Sequence, residues 1–117
     1  MAVRYLPAAR EDIKSAIKWS VQDFGAFAAH RYKRLLGVAI SELEANPQLT
    51  HSYELRELQA GVRISHLKPS RNRAVVDGQI VKRPRLFILY KVIANDQLVI
   101  IRVLHERMEV LPGLEKE

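Results

Sequence analysis

A chain of 117 residues, 48% apolar and 27% charged with the two classes interleaved, is expected to fold as a single domain over residues 1–117, not to stay disordered. It has no cysteine, which excludes a disulfide framework and a thiolate metal site. No segment approaches the roughly 20 apolar residues that a membrane-spanning helix needs, and no secretory leader is visible, so the expected location is the cytoplasm.

The net charge of +6 is unevenly spread. Residues 1 to 53 carry seven basic and five acidic side chains, 54 to 91 carry nine and three, and 92 to 117 carry three and five. The middle third therefore holds the equivalent of the whole excess. Such a cluster attracts an acidic protein or nucleic acid through its local potential, or is simply a solvated basic loop. Charge alone leaves direct nucleic-acid binding open.

In chain order, Val3 to Tyr5 alternates as a short strand and is stopped by Pro7, which suits a first helical turn. From Ala8 to Phe24, Ile13, Ala16, Ile17 and Phe24 recur at helical steps, and Glu11 and Asp12 are expected in the first turn, where the helix dipole favours them. Gly25 ends this helix. A second follows at once, with Phe27, Ala28, Tyr32, Leu35, Leu36, Ala39, Ile40 and Leu43 on one apolar face, and Asn46-Pro47 closes it. So short a link forces an antiparallel helix hairpin whose apolar faces need a sheet to cover them.

Gly61 to Ser65, Leu86 to Ile93 and Leu98 to Leu104 read as three strands, the last two joined through Asn95-Asp96 as a hairpin. Their nearly continuous apolar runs predict central, covered positions. Between them, Lys68 to Pro84 is expected to form a long, mobile, basic loop or a small hairpin turning at Asp77-Gly78. Glu115 to Glu117 reads as a frayed tail.

The chain lacks a Gly-rich phosphate loop and Ser-centred nucleophile motifs, and His30, His51, His66 and His105 show no metal-ligand spacing. No metal and no cofactor are expected. What remains is Arg63, Arg85, Tyr90, Arg102, His105 and Arg107, spread over the later strands and their ends. On one solvent-facing sheet surface they offer the base, acid and cations that ribonuclease chemistry through a 2′-hydroxyl requires. The plainer alternative makes Arg63 and Arg102 exposed strand residues, Tyr90 a packing residue and His105 a strand-end cap. Trp19, Phe24 and Tyr32 sit on helical faces and are assigned to packing.

Ala9 to Ile17, Phe24-Gly25 followed by Ala28 and Tyr32, Leu43 with Pro47, Gly61-Val62-Arg63, Leu89-Tyr90 and the closing Arg102-Val103-Leu104-His105-Glu106-Arg107-Met108 come in an order that resembles the ParE branch of the RelE/ParE toxin superfamily. The resemblance covers nearly the whole chain. It implies an α+β, β-α-α-β-β-β fold with a helix hairpin packed on a small antiparallel sheet. It also implies the toxin of a bacterial type II toxin–antitoxin pair that inhibits DNA gyrase and is neutralised by a ParD-like antitoxin, whose arm lies over the toxin. The RelE branch supplies the alternative, a ribosome-dependent mRNA interferase, but the dense Lys and Arg run of a message-cleaving second strand is missing here. An inactive member acting as a binding module is the third reading. Under the first, no residue is catalytic, and target contact is expected from Arg63, Arg85, Tyr90, Arg102, His105 and Arg107, with Arg102 and Arg107 foremost. The Lys68 to Arg85 loop is longer than in many ParE-like chains.

Overall fold

In the computed structural model, which describes residues 2–48, 52–94 and 96–106, Pro7 occupies the first position of helix α1 (Pro7–Phe24). Its missing N–H costs nothing there, and Leu6 before it is extended. Because the helix begins at Pro7, Glu11 and Asp12 fall beyond its first turn, so the dipole role expected of them does not apply. Gly25 alone separates α1 from α2 (Ala26–Ala45), at φ 91° and ψ 170°, a conformation essentially closed to residues with a Cβ. Its N–H still closes α1 on the Val21 carbonyl at 2.9 Å.

The sheet has five strands in the order β1-β5-β4-β3-β2: β1 Ala2–Tyr5, β2 Ser52–Glu54, β3 Arg63–His66, β4 Leu86–Ile93 and β5 Gln97–His105. The pairs from β2 to β5 are antiparallel, as expected, but β1 joins β5 in parallel, with Val3 opposite Leu98. The sheet is therefore mixed, and β2 is a strand that the sequence did not announce. The two long apolar runs do form central strands, since β5 and β4 each have a neighbour on both sides.

Leu86, Ile88 and Tyr90 of β4, with Leu98, Ile100 and Val103 of β5, pack against Ala9 of α1 and against Leu35, Ala39 and Leu43 of α2. Each large side chain buried here contributes about 1.5–3 kcal/mol. A register shift between Leu89 and Tyr90 makes this arrangement possible. Ile88 pairs with Val103 and Tyr90 with Ile100, so β5 carries one extra residue, and both Ile100 and Val103 reach the helix side. On the opposite face, the segment after β2 folds back to bury Leu55, Val62, Ile64 and Leu89 in a second, smaller cluster.

Residues 68–85 are more ordered than a plain loop. Lys68–Arg73 forms a 3-10 turn pinned to α2, where Glu42 accepts from the Ser70 hydroxyl and the Arg73 guanidinium. Asp77 and Gly78 have positive φ and close the small hairpin expected there, with reciprocal Val76 and Gln79 backbone bonds of 2.9 Å. Two aromatic positions depart from the helical reading: Phe24 is 65% exposed and Phe27 81% exposed, both flanking Gly25 where the hairpin turns away from the sheet.

Candidate functional site

The side chains expected on one solvent-facing surface are dispersed, and most of those described have structural partners. Tyr90 is wholly buried, and its hydroxyl donates to the Pro47 carbonyl at 2.6 Å, tying the end of α2 to β4. The expected target contact by Tyr90 therefore needs correction. The inward-facing register of β4, shared with Leu86 and Ile88, places its ring in the core. Arg63 donates from Nη2 to the Ser52 carbonyl and hydroxyl, both at 2.9 Å, which stitches the short strand β2 onto the sheet.

Arg102 forms a bidentate pair with Asp12 of α1, Nε to Oδ2 at 2.6 Å and Nη2 to Oδ1 at 2.9 Å. The Asp12 hydrogen bond raises the already high pKa of the guanidinium. Asp12 Oδ2 also accepts the Val103 N–H at 3.0 Å, on the stretch of β5 edge that β1 is too short to cover. His105 stacks edge-on against Trp19 with ring centroids 5.6 Å apart. Arg107 lies outside the described residues.

At the same end of the sheet, a cluster that the sequence did not single out surrounds Glu106. Its carboxylate meets Arg85 Nη1 at 3.5 Å and His66 Nε2 at 3.3 Å, and its N–H donates to the Arg85 carbonyl at 2.8 Å. His66 Nδ1 accepts the Lys68 N–H at 2.9 Å, so the ring proton sits on Nε2 and points to Glu106. The Arg85 N–H donates to the Tyr32 hydroxyl at 2.6 Å, and burial, its largest influence, raises the pKa of that phenol. Both nitrogens of His66 are thus engaged, and neither is available as a general base.

The largest concavity, about 590 Å³, lies between the helix hairpin and residues 79–85. Trp19, Phe24, Ala28 and Tyr32 line the helix side, and Ile80 and Val81 the other. Arg31, Lys82, Arg83 and Arg85 stand around it, and no acidic side chain contributes to its lining. Ser20, also in the lining, is 1% exposed, and its hydroxyl has no hydrogen-bond partner. An unpaired buried polar group of this kind costs of order 1–3 kcal/mol. A second cavity of about 480 Å³ adjoins it through Trp19, between α1 and β5, and His105 lines it. Sequence reasoning missed the first groove because its residues come from α1, α2 and a segment some fifty positions later; the one available signal was the Lys82-Arg83 pair beside apolar Ile80-Val81.

Among the described residues, no group of three or more His, Cys, Asp or Glu could hold a metal ion, and no helix is long and apolar enough to cross a membrane. The sequence matches the family model described as the ParE toxin of type II toxin–antitoxin systems, parDE, over residues 3–110. Among solved structures, the fold is similar to a chain of a chromosomal ParDE toxin–antitoxin system from P. aeruginosa. That similarity has a TM-score of 0.56 at 12% sequence identity, over 90% of this chain and 95% of the other. No curated protein matches the sequence.

Proposed function

This chain belongs to the ParE toxin family of type II toxin–antitoxin systems, and from that premise we propose that it arrests growth by inhibiting DNA gyrase in the cytoplasm and is neutralised by a ParD-like antitoxin. The family match over residues 3–110 carries this reading. The arrangement of polar side chains supports a non-enzymatic toxin over a ribonuclease. Of the residues that would serve acid–base chemistry, Tyr90 is buried against Pro47, Arg63 is committed to Ser52 and Arg102 to Asp12. An interferase needs such groups converging around one phosphodiester. Target contact then falls to the end of β5, through Arg85, His105 and Arg107, with Arg63 and Arg102 positioning strands instead.

The test is to express the chain alone and with the product of the adjacent reading frame, and to assay the purified protein on gyrase beside a ribosome-programmed message. Growth arrest relieved by the neighbouring product, together with gyrase inhibition and intact messages, is the expected result. Cleaved messages with unaffected gyrase would move the protein to the interferase class, and harmless expression would make it an inactive member.

A further inference from the structure

We propose that the groove between the helix hairpin and residues 79–85 is a docking site for an acidic, amphipathic segment of a protein partner; where that partner is the antitoxin, the inference rests on the toxin–antitoxin reading above. Three properties of the groove define the occupant. Its rim is cationic: Arg31, Lys82 and Arg83 make no hydrogen bond or ion pair within the described residues, so they are available to carboxylates. Its walls are apolar, formed by Trp19, Phe24, Ala28 and Val81, and the adjoining hairpin tip exposes Val21 at 45% and Phe27 at 81%. The Ser20 hydroxyl in its lining is buried and unpaired, a group that an incoming peptide carbonyl or amide satisfies.

These properties together select a peptide over a nucleic acid. A phosphodiester strand would satisfy the rim cations while leaving the apolar walls and the hydroxyl unfilled. A segment that alternates acidic and aliphatic residues satisfies all three, with carboxylates on the rim giving orientation and side chains in the groove giving burial. Half of the site is built by residues 79–85, which the Asp77-Gly78 turn folds toward the helices.

Trp19 is the only tryptophan of the chain and lines the groove, so its emission reports occupancy directly. The full chain is titrated with a synthetic peptide of repeating Glu-Leu-Leu-Glu units, with its Lys-for-Glu counterpart, with a duplex oligonucleotide and with the neighbouring gene product. The acidic peptide and the gene product are expected to shift the Trp19 signal, and the lysine peptide is not. The double variant Lys82→Glu/Arg83→Glu should weaken both interactions by about tenfold or more. Ala28→Phe, which fills the groove without changing charge, should weaken them too, with circular dichroism confirming that each variant folds. Acidic-peptide affinity unchanged in both variants would overturn the proposal, as would an oligonucleotide that shifts Trp19 with the same dependence on Lys82 and Arg83. If the gene product binds all variants equally, the toxin–antitoxin reading stands and the groove assignment falls. If the gene product fails to bind while the acidic peptide behaves as expected, the groove stands and the choice of partner falls.

Discussion

The carboxylate of Asp12 fills a place in the sheet that no strand occupies, accepting the Val103 N–H while it holds Arg102. Asp12→Ala leaves a backbone donor and a guanidinium without their acceptor, and should cost roughly 2–3 kcal/mol in urea unfolding. Ser20→Ala should act in the opposite direction. It removes an unpaired buried hydroxyl and adds helix propensity, so the free chain should gain about 1 kcal/mol on the same measurement, while the acidic partner binds less tightly. At Glu54 the Gly61 N–H donates to Oε2 at 3.0 Å, and this bond, more than the nearby Arg56 and Arg63, holds the carboxyl below its ordinary pKa. The stabilisation from this group is therefore complete above the ordinary carboxylate pKa and disappears as pH falls through the lowered folded value. A Glu54 carboxyl titration followed by NMR should have its midpoint below that of a free Glu, and a midpoint at or above it would contradict the assignment. Single residues were the least legible level of this chain. Arg102 and Tyr90 were recognised as important strand positions, but their partners, Asp12 and Pro47, lie far away in sequence, and only the folded sheet brings them within bonding distance.

At the level of elements, the helix hairpin depends on one residue. A methyl group added at Gly25 would meet nothing within 4 Å, so a substitution there is opposed by torsion alone. Gly25→Ala should destabilise the fold by about 1–3 kcal/mol in thermal or urea unfolding without any change in core packing. Both helices and the three long strands were readable because each carries a dozen or so positions of consistent periodicity, or an unbroken β-branched run. The three-residue strand β2 was not, since so short a segment has no measurable period and is held by Arg63 and by backbone pairing with β3. Periodicity also placed Phe24 and Phe27 inside. It reports which face of a helix is apolar, but not where the sheet beneath that face ends.

For the molecule as a whole, the excess of positive charge in the middle third becomes a local feature of one surface, because residues 82–85 and Arg31 meet around a single groove. Association with an acidic partner should then slow by about tenfold between 50 and 500 mM salt, whereas dissociation, governed by the apolar walls, should change much less. Stopped-flow mixing monitored by Trp19 measures both. The charge imbalance was visible in the sequence, but its concavity was not, because a cavity belongs to the relative placement of elements and not to any one of them. The parallel pairing of Val3 with Leu98 carries one more consequence. The first strand to leave the ribosome must wait, unpaired, until nearly the last one has been synthesised, and closing so long a loop makes this a late event in folding. The helix hairpin, whose contacts are local, can assemble beforehand. A nascent or prematurely ended chain therefore lacks the central strand that joins β1 to β4, and the cell producing this protein meets a finished sheet only when translation is almost complete.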